Sequence, residues 1–233
     1  MDAINDNCFL VARGIRREFE TSEGVLQVLK GVDITLNRGA MVAVIGESGV
    51  GKSTLLHILG GLDRPTAGEI EIDNDPFLNK NESELATYRN AHIGFVFQHH
   101  YLLEDFTALE NVMIPALISG KSRPDATDIS EQLLSDVGLS DRMTHYPGQL
   151  SGGEQQRVAV ARALVNEPKV VLADEPSGNL DIKTGEKLHR LLAGLNESRG
   201  TTILVATHNK DLAKCCHKIV KLADGRLEET AES

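Results

Sequence analysis

Two patterns of apolar and polar positions predict β-strands in this chain. Leu26–Leu36 and Glu69–Ile72 alternate apolar with polar residues, as expected of strands that have one face in water. Short apolar runs are typical instead of strands in a parallel sheet that is covered on both faces. These runs are Met41–Ile45, Ile93–Phe97, Val170–Ala173 and Thr202–Ala206.

A helical pattern connects the last two apolar runs. Leucines recur at helical spacing within Ile182–Ser198, at positions 188, 191, 192 and 195, which predicts a β-α-β unit. Thr107–Leu150 also has a helical period and contains several expected helix breakers. These breakers are Pro115, Gly120, Pro124 and Pro147. We therefore expect a helical insertion within an α/β core.

Composition and charge limit the possible partners. The chain has 233 residues, of which 41% are hydrophobic and 25% charged, enough to bury a core without disulfides. A formal net charge of -10 argues against nucleic acid and against direct binding to anionic lipid. No apolar run approaches the roughly 18 residues of a membrane span, and the first residues lack the features of a secretory signal. Any membrane role is therefore expected to come through a partner.

A glycine-rich motif directly follows the run Met41–Ile45. It consists of Gly46, Glu47, Ser48, Gly49, Val50, Gly51, Lys52, Ser53 and Thr54. This motif matches the phosphate-binding pattern G-x-x-x-x-G-K-[ST], in which backbone N–H groups and a helix dipole face the phosphates. We expect Lys52 to reach the β- and γ-phosphates, Ser53 to coordinate Mg²⁺ and Thr54 to lie near the α-phosphate. A glycine-rich turn without a ligand is the competing interpretation.

Two carboxylates follow the apolar run Val170–Ala173. Asp174 and Glu175 stand at the carboxyl end of a predicted strand, where open α/β sheets bind ligands. We expect Asp174 to hold Mg²⁺, usually through water, and Glu175 to act as the general base or to orient the attacking water. A solvated strand end is the alternative, but the phosphate-binding loop favours a catalytic pair.

A third motif, Leu150–Leu164, opens with Ser151, Gly152, Gly153 and Glu154. A serine hydroxyl, glycine N–H groups and a helix dipole together can receive an anion. Ser151 and Glu154 also have the spacing of a helix capping box, and both interpretations can hold. The segment resembles the signature of ATP-binding cassette (ABC) ATPases, and the resemblance extends from about Leu10 to Leu227.

The resemblance to ABC ATPases implies a fold and a site. The fold would be an α/β P-loop NTPase cassette with a mixed, RecA-like sheet core, N-terminal antiparallel strands and a helical subdomain insertion. It would form one domain over 1–233, with its core at about 8–98 and 165–228 and the helical subdomain at about 99–164. ATP and Mg²⁺ would be the cofactors. Two copies would form a homodimer on binding ATP, with each nucleotide held between 46–54 of one copy and 151–154 of the other.

Single positions also match the family. The resemblance implies that Gln98 is a Mg²⁺ ligand that senses the transport partner, and that His208 contacts the γ-phosphate. Asp181 ends the segment Ser177–Asp181, which resembles the D-loop that contacts the other subunit. Phe19 stands where the family places an adenine-stacking ring, more usually Tyr, although a core position is the alternative.

This chain departs from the family pattern at two positions. Ser177 stands where Thr is frequent, and Asn209 follows His208 where Asp is common. Neither change removes a group that ATP chemistry needs, so only fine geometry is affected.

Within the family, 60–66, 97–112 and 163–168 resemble the ATPases of bacterial lipoprotein-releasing systems. That resemblance implies integral membrane partners of the LolC/LolE type, indirect contact with lipoprotein cargo, and a peripheral location at the cytoplasmic face of the inner membrane. A MacB-like export ATPase and an FtsE-like regulatory ATPase of cell division remain alternatives.

The segment after Gln98 carries apolar residues, namely Tyr101, Leu102, Leu103 and Phe106. The family receives a coupling helix of its membrane subunits in this region, so we expect these residues to line that groove. Packing within the helical insertion alone is the alternative for Leu102 and Leu103.

Overall fold

The computed structural model describes residues 8–22 and 24–229. The strands in this part of the chain are β1 (Cys8–Thr21), β2 (Gly24–Asn37), β3 (Met41–Ile45), β4 (Ala67–Ile72), β5 (Ile93–Val96), β6 (Val170–Asp174), β7 (Thr202–Thr207), β8 (Lys218–Ala223) and β9 (Arg226–Glu229). The α-helices are α1 (Lys52–Leu59), α2 (Glu82–His92), α3 (Ala108–Ile118), α4 (Arg123–Asp136), α5 (Gly152–Leu164), α6 (Ile182–Arg199) and α7 (Lys210–Lys214). Short 3-10 turns cover Phe77–Asn79, Ser140–Arg142 and Pro147–Gln149.

The strands form two sheets. Strands β2, β1 and β4 make an antiparallel sheet in that order, which confirms the expected N-terminal antiparallel strands. The second sheet has the order β5-β6-β7-β3-β8-β9, and only its last pair, β8 with β9, is antiparallel. All four apolar runs lie in this mixed sheet, although Phe97 falls outside its strand.

The alternation of side chains in the mixed sheet divides the core in two. In β6, Val170 and Leu172 join a cluster with α1, α2 and the antiparallel sheet. Val171 and Ala173 of the same strand face a second cluster, formed with α3 to α6. Both faces of these strands are therefore covered, as the uninterrupted apolar runs predicted.

Helices α3, α4 and α5 lie between β5 and β6, as a helical insertion requires. The expectation that Pro115 breaks a helix was wrong, because Pro115 lies inside α3. The helix continues since its neighbours Val112, Met113 and Ala116 are buried, and since Asn90 and Asn166 donate hydrogen bonds to the carbonyl oxygen of Pro115, at 3.1 and 3.0 Å. Packing thus outweighs the lost N–H donor. The division of the chain near 98 and 164 stays a prediction.

Within the described ranges, no helix is both long enough and apolar enough to cross a bilayer.

Candidate active site

A cleft of about 560 Å³ opens at the carboxyl ends of the central strands. The loop after β3 leads into α1, Glu175 follows β6 and His208 follows β7, so the sheet order brings distant segments together. The lining residues are Val28, Ser48, Gly49, Gly51, Lys52, Ser53, Thr54, Gln98, Glu175 and His208. Its size is that of a small-molecule site.

The glycine-rich loop depends on backbone shapes that favour glycine. Gly49 and Gly51 have φ values of +79° and +106°, in the left-handed region that other residues rarely adopt. A Cβ atom at Gly46 would lie 2.5 Å from the carbonyl oxygen of Leu222. The loop curls around the buried ammonium of Lys52, which donates to the carbonyl oxygens of Gly46 and Glu47 at 2.9 and 3.0 Å.

The N-terminus of α1 faces this cleft without a cap. Gly51 precedes the helix with no side-chain hydrogen bond, and the first turn contains no acidic residue. The N–H groups of a first helical turn lack partners within the helix. An anion is therefore the natural partner for this helix end.

Glu175 is fixed in the cleft at both carboxylate oxygens. Its Oε1 lies 2.8 Å from Nδ1 of His208 and 3.7 Å from Nζ of Lys52, and its Oε2 accepts from the Thr207 hydroxyl at 3.1 Å. The backbone has φ +44°, and its N–H donates to the carbonyl oxygen of Ala206 at 2.9 Å. The carboxylate is thus held beside the lysine, in a position to orient a water molecule.

Asp174 offers an unsatisfied oxygen beside the loop. Burial raises the pKa of its carboxyl, while a hydrogen bond from Ser53 acts in the opposite direction. Its Oδ1 is buried and has no hydrogen-bond partner among the described residues. Carboxylate and hydroxyl oxygens are the ligands that Mg²⁺ prefers, so Asp174 and Ser53 fit a magnesium ion.

Gln98 lines the cleft but is paired with the D-loop segment 177–181. Its Nε2 donates to Oδ1 of Asn179 at 2.9 Å, and Nδ2 of Asn179 donates to the Gln98 carbonyl oxygen at 3.1 Å. Coordination of a metal through this amide would need the pair to rearrange.

Four expected site residues belong to the loop and strand end beside the cleft but do not line it, namely Gly46, Glu47, Val50 and Asp174. Three further groups are also not among the lining residues. Phe19 is 37% exposed on β1, with the Arg17 guanidinium 4.5 Å from its ring centroid. Asp181 caps α6, accepting from the Thr184 N–H at 3.2 Å, and these bonds to Thr184 lower the pKa of its carboxyl. The third group, 151–154, opens α5.

Ser151 and Glu154 form the reciprocal capping box that their spacing predicts. Glu154 Oε2 accepts from the backbone N–H and the hydroxyl of Ser151 at 2.8 and 2.7 Å, and Oε1 accepts from Nε of Arg142 at 3.0 Å. The bonds to Ser151, with those from Arg142, lower the pKa of Glu154 to about 2. The two side chains thus satisfy the backbone N–H groups of Ser151 and Glu154 at this helix end.

Sequence reasoning missed Val28 and Thr207. Val28 lies on β2 and packs closely against the loop. A Cβ atom added at Gly51 would lie only 2.8 Å from the Cγ1 of Val28. No sequence signal marks it, since the two segments meet only through the fold. Thr207 precedes His208, so its hydroxyl could have been suspected as a partner for Glu175.

The segment after Gln98 lies beside an apolar groove of about 440 Å³. Tyr101, Leu103 and Phe106 are exposed, whereas Leu102 packs against the cluster of the helical insertion. None of the four is among the residues lining this groove, which include Leu62, Phe95, Phe97 and Ile118. Tyr101 contacts the groove through Phe97, at 5.4 Å between ring centroids.

Comparison with known proteins agrees with this geometry. A family model described as ABC transporter matches residues 29–178. A solved dimeric structure of an ATP-binding cassette in a post-hydrolysis state, bound to ADP and Pi, superposes with a TM-score of 0.87 at 40% identity, covering 94% of this chain and 98% of that one. The chain belongs to the ABC transporter family and is an ATP-binding cassette with the fold of an ABC-type ATPase.

Two relatives narrow the resemblance within the family. A protein of Porphyromonas gingivalis is 54% identical over 216 residues, which cover 93% of this chain and 97% of that protein. A protein of Geobacter metallireducens is 50% identical over 213 residues, covering 91% and 95%. Both are described as lipoprotein-releasing system ATP-binding protein LolD.

Proposed function

We propose that this chain is the ATP-hydrolysing subunit of a lipoprotein-releasing complex. The observation that carries the proposal is the identity of 50% and 54% with two LolD proteins over more than 90% of both chains. The export and cell-division alternatives gain no support from these relatives. The protein would act at the cytoplasmic face of the inner membrane, on integral membrane subunits of the LolC/LolE type.

ATP would bind with its phosphates against the uncapped end of α1. Lys52 would exchange the carbonyl oxygens of Gly46 and Glu47 for phosphate oxygens, which are stronger acceptors because they are charged. Glu175 would orient the attacking water, and His208, which already contacts Glu175, would contact the γ-phosphate.

Mg²⁺ would be held by Ser53, Asp174 and Gln98. The bound ion would neutralise charge on the β- and γ-phosphates during transfer. The orphaned Asp174 oxygen supports this assignment. Gln98 would first have to release Asn179, which gives the residue a way to connect the nucleotide site with the D-loop.

A second copy of the chain would complete each site. Gly152 is exposed at the N-terminus of α5, so an anion can approach from outside the molecule. Ser151–Glu154 and Asp181 of one copy would then face the nucleotide of the other, and closure would convert binding energy into movement of the membrane subunits.

The membrane subunits would dock at the groove beside Phe97, with the exposed segment 101–106 as its rim. Tyr101 contacts the wall of the groove. Gln98, which lines the cleft, is the residue that follows Phe97 of the groove in the sequence. A docked helix would therefore act on the segment that contains a proposed metal ligand.

Reconstitution tests the proposed function. The chain is co-expressed with candidate membrane subunits of the lipoprotein-releasing type, purified in detergent and placed in vesicles that carry a lipoprotein. We expect copurification and ATP-dependent release of the lipoprotein to a soluble carrier. Active ATP hydrolysis without copurification would overturn the lipoprotein assignment and leave the ATPase assignment intact.

A further inference from the structure

Ser177, which departs from the family pattern, is bonded to a histidine of the next helix. Its Oγ lies 2.9 Å from Nε2 of His189 in α6. Both residues are buried, with 8% and 4% of their surface exposed. Among the described residues this is the only side-chain hydrogen bond of Ser177. The pair therefore ties the segment after Glu175 to α6.

Glu175 and Ser177 lie in one turn that backbone hydrogen bonds hold together. The N–H of Gly178 donates to the Glu175 carbonyl oxygen at 2.9 Å, and the N–H of Leu180 donates to the Ser177 carbonyl oxygen at 3.1 Å. Glu175 also has the uncommon φ of +44°, which persists only where surrounding contacts hold it. A displacement of Ser177 would relax this turn and move the Glu175 carboxylate.

The same turn connects the cleft with helix α6. Asn179 pairs with Gln98, and Asp181 starts α6. On the α6 side, a Cβ atom at Gly185 would lie 3.6 Å from the Cβ of Ser177, so the turn packs directly on the helix. The turn is therefore bonded on two sides: His189 of α6 contacts Ser177, and Gln98 in the cleft contacts Asn179.

His189 is held in its neutral form by its surroundings. Burial lowers its pKa, and the carboxylates of Asp211 in α7 and Glu186 in α6 act in the opposite direction. A neutral imidazole can exchange a hydrogen bond with a hydroxyl in either tautomer. The bond to Ser177 therefore needs no charge.

We propose that His189 is a positioning residue for ATP hydrolysis. It fixes Ser177, and through Ser177 the turn that carries Glu175 and the D-loop segment 177–181. His189 is not among the residues lining the cleft, so it acts through Ser177. The effect on the D-loop rests on the dimeric site proposed above, whereas the effect on Glu175 does not.

The test compares His189→Leu, Ser177→Ala and the double variant in the full-length chain. We measure Tm, the Kd for MgATP and kcat for ATP hydrolysis. His189→Leu leaves the Ser177 hydroxyl buried without a partner, so Tm should fall. We expect kcat to fall about tenfold while Kd stays within about twofold, because the transition state and not the ground state loses its geometry.

The double variant separates positioning from stability. Removing both partners leaves no orphaned polar group, so Tm should recover, but kcat should stay low because the turn has lost its anchor. His189→Gln, which can still bond to Ser177, should restore kcat relative to His189→Leu. Leu195→Ala serves as a matched control, since it weakens the buried side of α6 without touching Ser177.

Two results would overturn the proposal. One is a double variant in which kcat recovers together with Tm. The other is a Leu195→Ala protein in which kcat falls as far as in His189→Leu at an equal loss of Tm. All the readouts use ATP alone, so they remain valid if the cargo or the membrane partners prove to be different.

Discussion

The two helix ends that we expect to face phosphate are built in opposite ways. Helix α1 begins after Gly51 with no side-chain cap and no acidic residue in its first turn. Helix α5 begins after Ser151, whose hydroxyl accepts from the backbone of Glu154 while the Glu154 carboxylate accepts in return. The α1 end therefore needs a ligand, whereas side chains of the chain itself already satisfy two backbone N–H groups at the α5 end.

The charged side chains near the two helix ends also differ in their partners. Lys52 at the α1 end is buried, and the hydrogen bonds of its ammonium go to the carbonyl oxygens of Gly46 and Glu47, so a phosphate would provide stronger acceptors. At the α5 end, Arg142 already neutralises Glu154. From this difference we expect ATP to bind first at the cleft of a single copy, and α5 to contribute in the dimer proposed above.

The largest effect is expected from Glu175→Gln, which leaves both helix ends unchanged. The amide keeps the size of the side chain but cannot accept a proton, so kcat should fall about 10²- to 10⁴-fold. ATP would remain bound, and size-exclusion chromatography with ATP should show a trapped dimer. A protein that stays monomeric and hydrolyses ATP at the normal rate would show that Glu175 is not the base.

Gly152→Asp breaks the α5 side of the comparison alone. Gly152 is exposed, and the nearest atom to an added Cβ is a Leu180 methyl carbon at 3.9 Å, so the side chain fits. A carboxylate in the first turn favours the helix by about 0.3–1 kcal/mol, but it repels an incoming phosphate. We expect unchanged or slightly raised Tm, unchanged ATP binding measured by calorimetry, and loss of the ATP-dependent dimer.

Mixing two inactive proteins sharpens this comparison. Lys52→Ala disables the cleft, and Gly152→Asp disables the α5 end. A mixed dimer would still contain one composite site with an intact cleft from one copy and an intact α5 end from the other. ATP hydrolysis by the mixture should exceed that of either variant alone, and a mixture no more active than its components would contradict a site shared between two copies.

Phe19→Ala tests whether Phe19 binds the adenine base, by comparing the affinity for ATP with the affinity for tripolyphosphate, which has no base. Stacking of a base on an aromatic ring contributes about 1–3 kcal/mol, so the Kd for ATP should rise about tenfold, while the Kd for tripolyphosphate stays the same. Leu26→Ala is the matched control, because Leu26 is the exposed cross-strand neighbour of Phe19. Equal effects of the two variants on ATP would assign Phe19 to the surface of the hairpin.

The sequence predicted the strands and helices whose apolar residues recur at a regular spacing, and the motifs whose residues have a fixed spacing. Met41–Ile45 is a strand at the predicted bounds, and the glycine-rich loop begins at the next residue, Gly46. The capping box of α5 was also predictable, since it depends on two residues three positions apart. Local chemistry determines both features.

Features that depend on contacts between distant segments were not predictable. Pro115 lies inside α3, where its neighbours Val112, Met113 and Ala116 are buried by packing, and no local pattern contains that information. Val28 lies near Gly51 only because β2 passes the loop. The pairing of Gln98 with Asn179 likewise joins segments 81 residues apart.

The smallest effect should come from Glu154→Gln, which tests the contribution of the charged capping box at the α5 end. The pKa of Glu154 is lowered from 4.5 to about 2, so its charged form stabilises the folded state. That contribution is fully present above about pH 4.5 and is lost as pH falls towards 2. The difference in free energy of unfolding between the native protein and the variant, from urea titrations, should therefore shrink across this range.

Glu110→Gln is the matched control for this measurement, because Thr107 and Glu110 form the same capping box at α3. Bonds to Thr107 lower the pKa of Glu110 as well, but Glu110 has no hydrogen bond from an arginine, so we expect the same sign with a smaller amplitude. Binding of ATP to the cleft should be unchanged in both variants at neutral pH. A difference for Glu154→Gln that did not vary with pH would mean that the charge of Glu154 does not contribute to the cap.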